Sequence, residues 1–407
     1  MSWWLVSYRQ LVDRKLSSLL CLLLLSFGVA MITLMSAADK QITSTFENNI
    51  KGIDLVVGAK GSPLQIILSS VYHMDAPTGN ISVELAKEVS NSKMVKSAIP
   101  LSFGDSYKGY RIVGTIPAFY DHYHSTLKNG GFIAKPFEVV VGSTVAKNLN
   151  LNVGSEFFGN HGLQEESIDQ HDDHAYKVVG VLEPNQSVID NLILTSLNSV
   201  WDVHAHDHQH SHHTFSIVEN LSDANNEKEI TALLVTYKSK MAAFSLPRKI
   251  NSMGNLQAAV PAIEVNRLLG LLGIGIDTLT NIALAIVLIS AISVLFSLLN
   301  TLKENLYELA LIRSFGANPF VLFRIIIQQG LILAISGYIL GFGIANLVAV
   351  ILNQKAAQQF HLSADNALFG TDNGLIFLAT IALGIIASII PSIMAYRLNI
   401  SSTLKNA

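Results

Sequence analysis

Six of the chain's 13 histidines fall in one short stretch, His204-Ala205-His206-Asp207-His208-Gln209-His210-Ser211-His212-His213. Neutral imidazole suits zinc, copper and nickel, and a carboxylate such as Asp207 adds an oxygen ligand. A fixed structural site uses fewer donors at set spacing. His204, His206, Asp207, His208, His210, His212 and His213 therefore read as a low-specificity loop that collects several ions, zinc foremost. His161, His171, Asp172, Asp173 and His174 form a second, looser group with the same chemistry. The competing reading is a solvated polar stretch or a pH-responsive patch. His73 near Asp75, and His122 with Asp121 and His124, could be ligands or catalytic groups, but surface or satisfied structural histidines account for them more simply.

Nucleotide chemistry is not written in this chain. No G-x-x-x-x-G-K-[ST] phosphate loop occurs, and Gly58-Ala59-Lys60-Gly61-Ser62 has the wrong spacing for one. The expectation is a chain that is no enzyme, holds no covalently bound cofactor and binds no nucleic acid. Cys21 is the lone cysteine, so no internal disulfide can form.

The elements that would position the histidines are set by hydropathy. Apolar residues make up 50% of the chain, charged ones 14%, and mean hydropathy is +0.41. That is too apolar for a soluble chain of this length and too polar for one wholly in lipid. Long apolar runs cover 16–38, 281–302, 325–354 and 373–396, at or beyond the ~20 residues that cross a hydrocarbon core as helix. Four transmembrane helices are expected, one before and three after a polar segment at 39–266. The first run exceeds the apolar region of a signal peptide and reads as a span.

Flanking charge sets the expected topology. Arg9, Arg14 and Lys15 precede the first span; Lys303, Arg313 and Arg324 lie between the second and third; Arg397 and Lys405 follow the fourth. Residues 1–15, 303–324 and 397–407 are therefore expected in the cytoplasm. The 39–266 segment carries 17 Lys and Arg against 24 Asp and Glu, and it and the short loop 355–372 should face outward. Helical pattern continues past the first span over Ala37 to Asn49 and precedes the second over Val265 to Ile276, so stalk-like helices should join the membrane part to the outer domain, with 267–302 holding both stalk and span. Asp277 falls near the outer end of that span and reads as solvated. Gly337, Gly341 and Ala345 repeat at four-residue spacing in the third span, which suits close helix packing, within the chain or between two copies.

The outer domain reads as α+β. Asp54 to Gly58, Tyr110 to Ile116, Glu138 to Val141 and Tyr176 to Leu182 have strand character, Pro63 to Tyr72 and Val83 to Ser90 helical character. Its size supports a substantial core in one or two lobes.

Between the second and third spans, Tyr307-Glu308-Leu309-Ala310-Leu311-Ile312-Arg313-Ser314-Phe315-Gly316-Ala317 reads as a short amphipathic helix stopped at Gly316, with Leu309, Ile312 and Phe315 at helical spacing. The segment resembles the coupling helix of the MacB/FtsX-like ABC permease family: Glu308, Arg313, Gly316 and Ala317 match its acidic, apolar, basic, Gly-Ala pattern. The tail Pro391-Ser392-Ile393-Met394-Ala395-Tyr396-Arg397-Leu398 resembles the family's end, and the one-plus-three layout resembles it over the whole chain. Lys303-Glu304-Asn305 stands where members often carry several arginines. The resemblance implies the mechanotransmission type of ABC system. Such a chain is the permease subunit in the bacterial inner membrane, working as a homodimer with a separate ATPase that alone binds ATP and docks at Tyr307, Glu308, Leu309, Ile312, Arg313, Phe315, Gly316 and Ala317. Membrane lipid and a periplasmic metal-binding or substrate-delivery protein are the other expected partners. Zinc handling through the histidines is the favoured cargo or signal. Lipoprotein release, peptide or drug efflux, and a non-transporting metal or pH sensor are the alternatives.

Overall fold

Two kinds of apolar pattern, alternating and unbroken, sort the chain into two units. The computed structural model describes residues 3–160, 175–210, 228–360 and 371–397. One unit comprises Met1–Ile42, Leu271–Lys355 and Asp365–Ala407, the other Thr43–Gly270 and Ala356–Ala364. Helices α1 (Trp3–Asp13) and α2 (Lys15–Ile50) come first. Then follow β1 (Leu55–Ala59), α3 (Pro63–Ser70), β2 (Ile81–Ser82), α4 (Val83–Ser90), β3 (Val95–Tyr107), β4 (Tyr110–Thr115), α5 (Ala118–His122), β5 (Leu127–Gly130), β6 (Glu138–Val141), α6 (Ser143–Leu149) and β7 (Glu156–Phe157). Next are β8 (Tyr176–Leu182), a 3-10 turn at Val188–Asn191, β9 (Ile193–Ser196), α7 (Leu197–His210), β10 (Glu229–Ile230), β11 (Ala232–Tyr237), α8 (Ala242–Asn251) and β12 (Leu256–Ala259). The described chain closes with α9 (Pro261–Glu304), α10 (Leu306–Ser314), α11 (Pro319–Phe360) and α12 (Thr371–Tyr396).

The second unit is built on a ten-stranded sheet in the order β12-β1-β11-β3-β4-β9-β6-β8-β5, with β7 paired to β8. Period-two alternation sends successive side chains to opposite faces, and here both faces are covered. Val56, Leu101, Val113, Val140, Leu182, Leu194 and Leu234 share one core that runs along the whole sheet. Their neighbours point the other way and part into two further cores. Leu55, Val57, Leu233 and Val235 pack with Leu246 and Ile250 of α8, while Ile112, Val139, Val141, Val178 and Ile193 pack with Val145 of α6 and Tyr176. Each such aliphatic side chain contributes roughly 1.5–3 kcal/mol by burial. Strand β3 joins these two lobes: Val95 to Leu101 pairs with β11, Ser102 to Tyr107 pairs with β4, and the register shifts between Phe103 and Ser106.

Among the described residues, four helices are long and apolar enough to cross a membrane, at Lys15–Ile50, Pro261–Glu304, Pro319–Leu352 and Asn373–Tyr396, the first two running on into the second unit. Glycine lets them cross closely. A Cβ on Gly341 would lie 2.5 Å from the Ser26 carbonyl oxygen and 2.9 Å from Val29 Cβ, and one on Gly337 would lie 2.6 Å from a Leu25 methyl. The small-residue row of α11 thus serves an intrachain crossing with α2. Gly330 meets Gly384 and Ser388 of α12 in the same manner, and Gly28 meets Val287 of α9. Cys21 is buried against a neighbouring-helix cluster that includes Val294 and Leu298.

Candidate functional site

A break at Asn305 separates α9 from α10, and the end of α10 is shaped by backbone geometry. Gly316 adopts φ +95, which an L side chain rarely takes. Its N–H donates to the Arg313 carbonyl at 3.0 Å, and the Ala317 N–H donates to the Ile312 carbonyl at 3.3 Å. That pair of bonds is a Schellman motif, so Gly316 and Ala317 stop the helix and satisfy its last carbonyls. Glu308 lies in its first turn and Arg313 in its last, each favourable to the helix dipole.

Burial divides the expected docking residues. Leu309 is 1% exposed and packs with Leu11, Leu302 and Leu322, so it holds α10 to its own chain. Ile312 is half-buried. The outward apolar face consists of Tyr307, Leu311 and Phe315, spaced four residues apart, with Phe315 83% exposed. Of the expected triad, Leu309 faces inward, Ile312 is half-buried and Phe315 faces out: helical spacing alone leaves open which of two apolar sides faces inward. Arg14 and Glu304 form an ion pair beside the α9 end.

The histidine run was expected as a loop, but its backbone is helical through His210. Ser196 caps the start of α7, its hydroxyl accepting the Ser199 N–H at 3.2 Å. Val200 is fully buried, and Trp201 Nε1 donates to the Glu229 carbonyl at 2.6 Å, so packing carries the helix into the polar run. His204, His206, His208 and His210 then recur every second residue along α7, with Asp207 among them; His212 and His213 lie outside the described residues. His161, His171, Asp172, Asp173 and His174 also lie outside them. Among the described residues, no group of three or more His, Cys, Asp or Glu is placed to hold a metal.

His73, His122 and His124 are set in the sheet unit. His73 has φ +57, its ring meets Phe103 edge-on at 5.5 Å, and both ring nitrogens are buried without a hydrogen-bond partner. Burial, with the Arg111 charge adding to it, pushes its pKa down to about 3. Asp75 does not pair with it: the Asp75 carboxylate accepts the Ala76 N–H at 2.7 Å, and its carbonyl accepts Arg111 Nη2 at 2.8 Å. The Arg111 guanidinium stacks 4.5 Å from the Phe103 ring centre. His122 packs edge-on against Tyr123 at 4.9 Å, and burial with the His124 charge lowers its pKa. Asp277 is exposed on α9.

One surface escaped the sequence reading. Trp4, Leu5, Tyr8 and Val12 of α1 are exposed at 47%, 56%, 58% and 40%, and their i, i+1, i+4, i+8 spacing was the available signal.

Span-length helices on either side of a short helix with one exposed apolar face, and a large α+β unit inserted after the first, define the class: a multi-span membrane protein with an inserted α+β domain. The model of the MacB-like periplasmic core domain matches residues 18–237, and that of the FtsX-like permease C-terminal domain matches residues 281–400. The first covers more than half of the chain, and the chain belongs to the MacB/FtsX-like ABC permease family. Permeases of this family are non-enzymatic subunits that work with a separate ABC ATPase, usually as dimers. Family and apolar helices together fit a multi-pass inner-membrane protein with a periplasmic domain. Among solved structures, the chain is similar to the periplasmic region of MacB from Actinobacillus actinomycetemcomitans, at 13% identity and TM-score 0.35, over 54% of this chain and 95% of that one. It is also similar to the extracellular domain of the noncanonic ABC-type transporter YknZ from Gram-positive bacteria, at 11% identity and TM-score 0.30, over 50% of this chain and 98% of that one. Comparison with curated proteins gives no match.

Proposed function

We propose that this chain is the permease half of a mechanotransmission-type ABC complex, in which α2, α9, α11 and α12 span the inner membrane. Residues 1–15, 303–324 and 397–407 face the cytoplasm, and 39–266 lies in the periplasm. A separate ATPase docks on α10, and its ATP-driven closure is carried along α9 and α2 to the sheet unit. A second copy completes the complex. The histidines of α7 tie the complex to zinc or another transition metal, received from or passed to a periplasmic partner.

The observation that carries the coupling reading is the outward face of α10. Its inner side is held by Leu309, its C-terminus is closed by Gly316, and Tyr307, Leu311 and Phe315 stand out as an apolar stripe beside Glu308. A short rigid helix with an apolar stripe is the form that docks in a groove on a partner. The test substitutes Tyr307→Asp, Leu311→Asp and Phe315→Asp together. Co-purification of the ATPase should fall at least about tenfold, the loss expected when buried apolar anchors of an interface are replaced by charge, while the permease keeps its elution profile in detergent. ATPase recovery at the wild-type level would overturn the docking assignment.

A further inference from the structure

The sheet unit gathers positive charge that its neighbouring residues leave unanswered. Residues 39–266 carry 17 Lys and Arg against 24 Asp and Glu, yet six of those cations fall in two short stretches: Lys93 and Lys96 at the start of β3, and Lys238, Lys240, Arg248 and Lys249 before and within α8. All six are exposed, and no acidic residue occurs at 89–104 or 231–263. The two stretches adjoin in the fold. The Lys238 N–H donates to the Met94 carbonyl at 2.9 Å, the Ser245 hydroxyl donates to the Met94 sulfur at 3.1 Å, and Tyr237 pairs with Val95 across β11 and β3. The Asp54 carboxylate nearby accepts the Tyr237 N–H at 2.6 Å. Two large apolar side chains stand among the cations. Ala242, Leu246 and Ile250 bury one side of α8, while Met241, Phe244 and Arg248 recur at i, i+3 and i+7 on the other, with Met241 and Phe244 each 74% exposed.

We propose that this face of α8, together with the start of β3, docks an acidic surface of a soluble periplasmic protein; this rests on the reading of 39–266 as periplasmic and served by such a partner. An aromatic anchor and a pliable thioether inside a charged rim have the anatomy of a protein interface, and the rim charges steer an acidic partner into register. A second copy is disfavoured, because a two-fold contact of this patch with itself sets like charges together. A lipid surface fits less well, for a reason of direction. Leu55 of β1 pairs with Val235 of β11, whereas Ala59 pairs with Leu256 of β12, so α8 carries the chain from one end of the sheet to the other. The cations follow it along that length, and a flat surface laid against either end meets only part of them. The partner therefore lies along α8, covering Met241 and Phe244 while its carboxylates meet the lysines on either side.

The test places the photoreactive analogue p-benzoylphenylalanine at Phe244 in the full chain, irradiates intact cells, and isolates the chain together with its ATPase. A discrete adduct with one other protein is expected, its cross-linked peptide lying in a segment of net negative charge. Its yield should fall at least about tenfold when Lys93→Glu, Lys96→Glu, Lys238→Glu and Lys240→Glu are combined, since reversed rim charge slows association. The reversal Lys128→Glu with Lys135→Glu, at exposed cations around β5, should leave the yield unchanged. An adduct with a second copy, with phospholipid alone, or with a protein captured equally well by the charge-reversed chain would overturn the assignment, as would the absence of any adduct. ATPase co-purification is read from the same samples. Its retention without an adduct counts against this surface alone, whereas a charge-sensitive adduct on a chain that retains no ATPase leaves the surface standing and counts against the coupling reading.

Discussion

His73 shows what one residue contributes to the sheet unit. Its left-handed backbone and its buried ring nitrogens are both unfavourable locally, and the surrounding core, with Phe103 against the ring, holds it in place. The pH consequence has a definite sign. The ring titrates near 6.5 when unfolded and is pushed down to about 3 when folded, so the unfolded chain binds the extra proton between those values. Stability is fully present above pH ~6.5 and is lost as pH falls toward ~3, with a slope approaching about 1.4 kcal/mol per pH unit for one proton. Asn tolerates the left-handed conformation and does not titrate. His73→Asn should therefore flatten thermal unfolding midpoints between pH 6.5 and 4 relative to the parent; an unchanged pH slope would show that another group carries it. The His73–Asp75 spacing could be read in sequence, but the turn of Asp75 toward Ala76 and of its carbonyl toward Arg111 depends on β4, 36 residues away in the chain.

Element boundaries divide sharply into what composition reveals and what it cannot. Gly341 and Gly343 of α11 are indistinguishable as sequence, yet a Cβ on the first would meet the Ser26 carbonyl oxygen of α2 at 2.5 Å, and one on the second would meet nothing within 4 Å. Gly341→Ala should lower the Tm of the detergent-solubilised chain by the equivalent of about 1–3 kcal/mol, the usual cost of overpacking. Gly343→Ala should be neutral or stabilising by up to about 1 kcal/mol, from helix propensity. Equal effects would place the α2–α11 crossing elsewhere. The long helices were legible because an apolar run longer than a bilayer has few other fates. Strands β6 and β8 were legible to the residue, since Glu138 to Val141 and Tyr176 to Leu182 are rich in β-branched and apolar residues between turns. Strand β3 was not, because it carries Pro100, Gly104 and five serines or charged residues on its way between lobes, and only its partners β11 and β4 make it a strand. Helix α10 was legible as a helix but not in its facing, which is fixed by Leu11 and Leu322 packing on Leu309.

At the scale of the whole molecule, α2 and α9 each belong to both units as unbroken helices. They are not equally stiff by sequence. From Val29 to Ile50, α2 contains no glycine or proline, whereas α9 carries Gly270, Gly273 and Gly275 at the boundary between units, and none of the three has a neighbour within 4 Å of an added Cβ. On the proposed coupling, α2 is the stiffer of the two paths to the sheet unit and the glycine segment makes α9 the softer one. The histidine run belongs to the other end of the chain's work. Its part 204–210 prolongs α7, whose Val200 packs against the sheet at Gly104 and Gly114, so cutting out 204–213 would shorten a folded helix as well as remove imidazoles. Substituting the six histidines 204, 206, 208, 210, 212 and 213 with Gln keeps helix propensity and removes imidazole alone. With a metal role, the purified variant should lose most of its zinc binding at neutral pH, and cells relying on it should show altered zinc content and slower growth under chelation, while ATPase co-purification through α10 stays at the parental level. Unchanged zinc content and growth, with the ATPase complex intact, would detach the histidines from the function and leave the mechanical coupling to act on another cargo.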